Sequence, residues 1–174
     1  WDIGTRDSTC IIFYQCIANR IYIIDCYEKN KEGLEHYKQL LDSKPYSYGK
    51  HFAPHDIAVQ EWGSGITRIE KARHLGIKFE CRHDKYNRVS SALPDLSIMD
   101  GIEAVRSMLP RTYIDKVKCA PLIKAIENYR QEYDAKKKVY YPHPLHNWAS
   151  HYADALRYLA LSLPRTKDGM SAEE

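Results

Sequence analysis

Two neighbouring runs of β-branched and aromatic residues near the start of the chain constrain the fold most. Residues 8–17 read STCIIFYQCI, residues 20–27 read RIYIIDCY, and both runs are apolar on both faces. The pair Ala18-Asn19 between them is the spacing of a β-hairpin. A strand that is apolar on both faces has to be covered on both sides. We therefore expect a central hairpin with other elements packed against each face.

The rest of the sequence alternates between helical and strand-like patterns. Apolar residues at helical spacing predict further helices, and short apolar runs bounded by turn formers predict further strands. This order is typical of a mixed α/β sheet that begins with a hairpin and is flanked by helices. The predicted helices cover residues 30–43, 66–75, 100–109 and 121–133, and the predicted short strands cover residues 51–53 and 77–82.

Two of these helices carry terminal signals. Asp100 followed by Glu103 fits a capping box at the start of a helix, which favours a structural role for Asp100. Pro121 suits the first turn of the next helix. The lysines at 136–138 are predicted to mark the exit of that helix.

Length and charge limit the classes of protein to which the chain can belong. Its 174 residues predict one domain over 1–174. The formal net charge of +3 is compatible with a nucleic-acid partner but does not by itself indicate one. No apolar run approaches the ~20 residues that span a bilayer, so we expect no membrane partner. Because the sequence starts at Trp1 on a strand-like segment, we expect it to be part of a longer polypeptide.

The segment HNWASHYADALRYLAL at 146–161 predicts an amphipathic helix with an unusual polar edge. On an ideal helix Asp154 lies to one side of the apolar stripe, His151 lies between Asp154 and the stripe, and Arg157 lies nearly opposite the stripe. A carboxylate and an imidazole one turn apart suggest a metal site with ligands from elsewhere. The stripe consists of Trp148, Tyr152, Ala155, Leu156, Leu159 and Leu163.

Two other carboxylates are candidates for the same site. Asp2 stands at the start of the predicted hairpin, and Asp56 follows the predicted strand at 51–53. If these strands are neighbours, about 4.7–4.9 Å apart, their carboxylates converge. A buried cluster of acids needs a cation, and oxygen ligands favour hard ions such as Mg²⁺ or Mn²⁺. A site of this kind suits two-metal hydrolysis of a phosphodiester.

The segments WDIGTRDST, HFAPHDIA and HNWASHYADALRYLA resemble the C-terminal nuclease domain of the large terminase subunit of tailed bacteriophages. The resemblance extends from Asp2 to about Leu163 and implies an RNase H-like fold. It also implies that Asp2, Asp56 and Asp154 bind two catalytic Mg²⁺ or Mn²⁺ ions. In some members a histidine one turn before the last aspartate also lies at the metal, which maps onto His151. Asn147 departs from the aspartate often found before the tryptophan.

The same resemblance implies the partners. A nuclease domain of this family acts on double-stranded DNA in the host cell cytoplasm during viral genome packaging, beside a small terminase subunit and a portal protein. Large terminases carry an ATPase domain ahead of the nuclease, but this sequence has no GxxxxGK[ST] loop. We therefore expect the ATPase domain to lie in another part of the full chain.

Several other polar residues are secondary candidates. Asp7 competes with Asp2 for the first ligand position, but the family motif places the metal-binding aspartate before Ile-Gly, so Asp7 is predicted to support the site indirectly. His55 is predicted to do the same beside Asp56. The histidines near 143–151 match no closed zinc site, and no cysteine lies near them in the sequence.

Two basic stretches are predicted to contact DNA phosphates. Such contacts suit a nuclease that cuts with little sequence preference. A lysine run of this kind is equally compatible with a solvated surface, and Arg68 and Arg73 are weaker candidates. The predicted contacts are Arg82, Lys85 and Arg88 in the first stretch, with Lys136, Lys137 and Lys138 in the second.

Two other classes of protein remain open at this stage. The segment DIGTRDST also fits a phosphate loop of the actin-like and sugar-kinase-like ATP-binding proteins, although the second phosphate loop and the Gly-Gly segment of that fold are missing. The chain would alternatively be a non-catalytic docking domain of a packaging motor. The convergence of three acids favours the nuclease over both.

Overall fold

The two apolar runs form the antiparallel hairpin that the sequence predicts. The computed structural model describes residues 1–4, 8–60 and 65–164. Strand β1 is Ser8–Ile17 and strand β2 is Arg20–Asn30. Their register shifts at a bulge between Phe13 and Tyr14. The hairpin is the longest pair of strands in the described ranges and carries both hydrophobic cores.

The remaining elements follow the order expected for an α/β protein. They are α1 (Leu34–Ser43), a 3₁₀ helix (His55–Ala58), α2 (Arg68–His74), β3 (Cys81–His83), β4 (Val89–Ser91), α3 (Ile98–Met108), a second 3₁₀ helix (Leu109–Arg111), β5 (Thr112–Ile114), α4 (Ala120–Asn128), β6 (Gln131–Asp134), β7 (Val139–Pro144) and α5 (Trp148–Ser162). Within the described ranges, no helix is long and apolar enough to cross a membrane.

Short pairings extend the sheet on both sides of the hairpin. Strand β5 runs parallel to β2, which makes the sheet mixed. Beyond β1, Asp2 pairs with Cys10 in an antiparallel bridge, and His51 pairs with Phe79 in a parallel bridge. The beginning of the chain and the segment before Asp56 therefore lie along the same side of β1.

Alternation along β1 divides the core into two clusters. Successive side chains of a strand point to opposite faces, so Cys10 and Ile12 face α5 while Ile11 and Phe13 face α1 and α2. The first cluster includes Ile21, Ile23, Met108, Leu122, Tyr152, Leu156 and Leu159. The second includes Trp1, Tyr37, Leu41, Ile57, Ile69, Ile77 and Phe79. This two-sided burial explains why both hairpin runs are apolar throughout.

Helix α5 begins at the predicted position and packs against β1, α3 and α4. The Asn147 side chain caps its first turn by accepting a hydrogen bond from the Ala149 amide at 2.9 Å. One expectation is wrong. Arg157, placed by the sequence opposite the apolar stripe, is only 7% exposed. The polar side of the helical wheel is covered because Gly101 of α3 packs directly against Arg157.

The capping residue of α3 also differs from the prediction. The helix begins one turn earlier than expected, and its N-cap is Ser97, whose hydroxyl accepts a hydrogen bond from the Asp100 amide at 3.1 Å. Asp100 is the third residue of the helix, and its carboxylate accepts a hydrogen bond from the Ser97 hydroxyl at 2.6 Å. Asp100 therefore has a structural role, as predicted, but from inside the helix.

The lysines at 136–138 do not mark the exit of a helix. Helix α4 ends at Asn128, and the chain turns into the hairpin of β6 and β7 with these lysines at its turn. The Asp134 carboxylate accepts hydrogen bonds from the amides of Lys136 and Lys137 at 2.9 and 3.0 Å, which organises this turn. The helical spacing of Tyr129 and Tyr133 misled the prediction, because tyrosine is also a good strand former.

A second hairpin contains the basic stretch from Arg82 to Arg88 and begins at the end of the predicted strand 77–82. Strands β3 and β4 pair over three residues each. Asp84 organises the turn between them by accepting hydrogen bonds from the amides of Tyr86 and Arg88 at 2.8 and 2.9 Å. The strands are too short and polar to give a clear alternating pattern.

The packing of α5 gives a first prediction. Replacing Leu156, which is 2% exposed, by alanine should lower the free energy of unfolding by about 2–5 kcal/mol, because it leaves a cavity in the core. Leu96→Ala is the control, since Leu96 is 38% exposed and should cost less than about 1 kcal/mol. Urea denaturation measures both values. Equal losses in the two variants would contradict this assignment of the core.

Candidate metal centre

Asp2 is held in place by the backbone on both sides. Its amide and carbonyl exchange two hydrogen bonds with Cys10 of β1, each 2.8 Å long. The amino group of Trp1 donates a hydrogen bond to the Phe52 carbonyl at 2.8 Å. These contacts join the Asp2 segment to β1 and to the segment that leads to Asp56.

Asp56 lies in the 3₁₀ helix that follows this segment. Its carboxylate is 3.6 Å from the guanidinium of Arg68, which extends from α2. Its Oδ1 atom is buried and has no hydrogen-bond partner among the described residues. Burial raises the pKa of Asp56, while the charges of Arg68 and His55 act in the opposite direction. An orphaned, buried carboxylate oxygen is a natural place for a cation.

Asp154 lies on α5, at the edge of the face that packs on the sheet. Arg157, one turn further along, donates two hydrogen bonds to its Oδ1 atom, from Nε at 3.1 Å and from Nη2 at 2.7 Å. The Asp154 side chain keeps about a quarter of its surface exposed, whereas the Arg157 side chain is 8% exposed. Asp154 is therefore accessible from one side and anchored from the other.

The electrostatics show that the three carboxylates share one region. Burial, together with the negative charges of Asp154 and Asp56, raises the pKa of Asp2 to about 7. The amino group of Trp1 and the Arg157 guanidinium oppose this shift. The three segments that carry these aspartates are far apart in the sequence, and the fold brings the charges of Asp154 and Asp56 close enough to act on Asp2; that the three form one metal site stays a prediction.

The carboxylates do not form a closed ligand shell as they stand. Among the described residues, no group of three or more histidine, cysteine, aspartate or glutamate side chains is close enough to hold one ion. Asp56 and Asp154 turn instead toward Arg68 and Arg157. The oxygen donors suit a hard divalent ion.

The other candidates near the site have different surroundings. His151 is half-buried on α5, and its ring meets the ring of His146 edge-on with centroids 6.0 Å apart. His55 is exposed beside Asp56 and affects it through charge. Asp7 lies outside the described residues.

Sequence reasoning missed three residues at this site. It placed Arg157 on the exposed side of α5 and considered Arg68 only as a contact to DNA, although both pair with the carboxylates. It gave no role to Tyr129, whose buried hydroxyl has no hydrogen-bond partner in the described ranges and whose pKa is raised by burial and by the charge of Asp154. The three-residue spacing of Asp154 and Arg157 was an available signal, because such pairs meet on a helix.

Both basic stretches project from the fold as hairpin turns. The hairpin of β6 and β7 is closed at its base by a 2.9 Å hydrogen bond from the Leu145 amide to the Arg130 carbonyl. This base follows Tyr129 directly in the sequence, so the lysine turn is connected to the edge of the carboxylate site. In the hairpin of β3 and β4, Arg88 is paired with Asp84 at 2.7 Å, which partly neutralises its charge. Arg82, Lys85 and all three lysines of the other hairpin are exposed.

The fold and the site together define a class of protein. The fold matches the P22 large terminase nuclease domain over 92% of this chain and 77% of that one, with 16% identity and a TM-score of 0.63. It matches the nuclease domain of the large terminase from bacteriophage SPP1, solved with bound Mn, over 90% of this chain and 80% of that one, with 18% identity and a TM-score of 0.58. The fold is therefore that of the RNase H-like nuclease domains of phage large terminases, as predicted.

The sequence comparison points the same way. The chain is 30% identical over 170 residues to the large terminase subunit of Escherichia phage T5. The aligned region covers 95% of this chain and 35% of the relative, so the chain spans about a third of the length of that protein. No family profile matches the sequence.

The raised pKa of Asp2 predicts how stability depends on pH. Its carboxyl has a pKa of about 7 in the folded chain and about 3.9 when unfolded, so the folded state binds more protons between these values. Without added metal, stability should fall as the pH rises from about 4 to 7. Asp2→Asn removes this contribution and should be more stable than the wild type at pH 8 and similar to it at pH 4. Thermal melting across this range measures the effect. Asp95→Asn, at an exposed position, is the control and should show the same pH dependence as the wild type. If Asp2→Asn also showed the wild-type pH dependence, the raised pKa of Asp2 would be contradicted.

Proposed function

We propose that this chain is a metal-dependent endonuclease that cleaves double-stranded DNA with little sequence preference during viral genome packaging. The observation that carries the proposal is the electrostatic convergence of three aspartates, in which the charges of Asp154 and Asp56 raise the pKa of a buried Asp2. A group of mutually repelling carboxylates that also includes an orphaned oxygen is suited to bind divalent cations.

In this proposal Asp2, Asp56 and Asp154 hold two Mg²⁺ or Mn²⁺ ions. When bound, the ions supply the activation of a water molecule and the stabilisation of the leaving oxygen in phosphodiester hydrolysis. The bound Mn of the SPP1 domain supports the use of a divalent ion. His151 is a candidate for a further ligand, because it lies one turn from Asp154 on the same helix.

The three aspartates are held in different ways, and we expect them to contribute differently to metal binding. Asp2 is fixed by its backbone pairing with β1, and burial with the charges of Asp154 and Asp56 raises its pKa to about 7, so a bound cation would stabilise its charged form. Asp56 and Asp154 each lie beside an arginine that balances their charge. Asp2 and Asp56 would bind from the sheet side and Asp154 from the helix side, with Asp7 and His55 in supporting positions.

The partners proposed for the full protein follow from the relatives. The chain matches 38% of the length of the large terminase from a thermophilic bacteriophage, which has been solved in complex with ADP. We infer that an ATPase domain accompanies this nuclease domain in its full chain, and that it acts with a small terminase subunit and a portal protein in the host cell cytoplasm. The single domain at 1–174 would then be the cutting unit of that assembly.

Cleavage of supercoiled plasmid tests the proposed activity. The wild type should nick plasmid in the presence of Mn²⁺, and excess chelator should abolish nicking. Asp154→Asn should reduce the rate at least about 100-fold, because it removes one negative ligand. Asp42→Asn, on the exposed surface of α1, should cut like the wild type. Nicking by Asp154→Asn at the wild-type rate, or nicking in chelator, would refute the two-metal assignment, and absence of nicking by the wild type would favour the docking domain.

The exposed lysine turn gives a prediction about DNA binding. Lys137 is exposed near the ring of Tyr141 and pairs with Asp134 only at 3.8 Å, and its removal should weaken DNA affinity equally for all sequences. The slope of log affinity against log salt should fall by about 0.9, the value for one phosphate contact. Fluorescence anisotropy at several salt concentrations measures both quantities. Lys38→Ala, whose lysine is paired with Asp42 on α1, is the control. Unchanged affinity of Lys137→Ala at low salt would show that the turn is only solvated.

A further inference from the structure

The guanidinium of Arg157 is buried deeply for a charged group. The residue is 7% exposed, and it lies between α3 and its own helix. A charge in such a place is costly unless a partner compensates it. The partner is Asp154, which accepts two hydrogen bonds from it. A salt bridge with Asp154 could form on the surface without this burial. Charge pairing alone therefore does not explain why the Arg157 guanidinium is buried.

The geometry of this pair distinguishes the two oxygens of Asp154. An arginine that meets a carboxylate side by side gives one hydrogen bond to each oxygen. Here both donors, Nε at 3.1 Å and Nη2 at 2.7 Å, converge on Oδ1. The fork holds Oδ1 from two directions and leaves Oδ2 outside it. Oδ2 is then the oxygen that Asp154 can present to a cation.

Gly101 of α3 makes room for this fork. A Cβ atom at position 101 would lie 3.1 Å from Cδ and 3.2 Å from Nη1 of Arg157, closer than ordinary packing allows. Glycine inside a helix is unfavourable compared with alanine, so its presence there has a packing reason. On the other side, the Tyr158 ring has its centroid 5.5 Å from Cζ of Arg157. The guanidinium is therefore fixed in position by its surroundings.

We propose that Arg157 is a positioning residue for Asp154, which it holds by Oδ1 so that Oδ2 alone binds the divalent ion, and that Gly101 provides the slot that sets the position of its guanidinium. This inference rests on the proposed function, since it concerns how one ligand of the proposed metal centre is oriented. Groups that orient a metal ligand through hydrogen bonds commonly change metal affinity about 10- to 100-fold when replaced.

A lysine at this position separates orientation from charge. Arg157→Lys keeps the positive charge near the site but has no planar fork, so it cannot give two hydrogen bonds to one oxygen from fixed directions. If Arg157 acted only by its charge, the lysine variant would bind metal like the wild type. If it acts by orientation, the variant binds metal more weakly despite the same net charge.

Calorimetric titration of the metal-free chain with Mn²⁺ alone tests the proposal. Arg157→Lys should raise the dissociation constant about 10- to 100-fold, and Gly101→Ala should raise it in the same direction by a smaller factor. Thermal melting establishes that each variant is folded. Arg106→Lys is the matched control, because Arg106 pairs with Glu103 at the same helical spacing on the exposed surface of α3. Gly49→Ala controls the glycine change, since a Cβ there meets nothing within 4 Å.

The outcomes distinguish the two proposals. Wild-type dissociation constants in both Arg157→Lys and Gly101→Ala would overturn the positioning role while leaving the metal centre intact. A slower cleavage rate at saturating Mn²⁺ with unchanged affinity would also overturn it. Absence of Mn²⁺ binding by the wild type would overturn the metal centre and the positioning role together. If Arg157→Lys does not fold, the Mn²⁺ affinity of Gly101→Ala tests the positioning role alone: a weaker affinity supports it, and the wild-type affinity overturns it.

Discussion

The repulsion among three carboxylates is the constraint on which the rest of this site depends. Asp2, Asp56 and Asp154 come from three separate segments, and the charges of Asp56 and Asp154 both act on the ionisation of Asp2. Like charges in a partly buried region destabilise the fold unless something compensates them. The arginines of α2 and α5 provide part of that compensation. Asp2, for which the described residues show no ion pair with an arginine, is the carboxyl whose pKa rises to about 7, although the amino group of Trp1 opposes that shift.

The fold brings these residues together by simple means. The antiparallel pairing of Asp2 with Cys10 fixes the first aspartate beside β1. The hydrogen bond from Trp1 to Phe52 brings the segment before Asp56 alongside it. Helix α5 then packs across β1 through its apolar stripe and carries Asp154 to the same side. The free energy gained by burying the hydrophobic core thus offsets the cost of bringing together charges that repel one another.

Sequence patterns were sufficient for the parts of the structure that depend on local periodicity. The hairpin and helix α5 have strong apolar patterns and were predicted correctly, whereas the assignment of the three aspartates to one site rests on the resemblance of their segments to family motifs and stays a prediction. Arg157 could not be placed, because a helical wheel shows only one apolar face and α3 covers the opposite face through a contact distant in the sequence. The hairpin of β6 and β7 was missed because its tyrosines fit helical and strand periods equally well. Tertiary packing decided both cases.

In the proposed metal centre, Arg68 and Arg157 would compete with a bound cation for the carboxylates of Asp56 and Asp154. In the structure Asp56 and Asp154 are directed toward arginine, and the described carboxylates do not surround a common point. A cation that draws them toward Asp2 competes with these pairs, so its net affinity is smaller than the carboxylates alone would give. A fork that occupies Oδ1 of Asp154 and leaves Oδ2 outside it reduces this competition, because the ion need not displace the arginine. At Asp56, Oδ1 is the atom without a hydrogen bond in the described part of the chain, while Arg68 lies near Oδ2. In both pairs the arginine faces one oxygen and leaves the other outside the pair, so in the proposed metal centre each carboxylate would keep its arginine and still offer an oxygen to an ion.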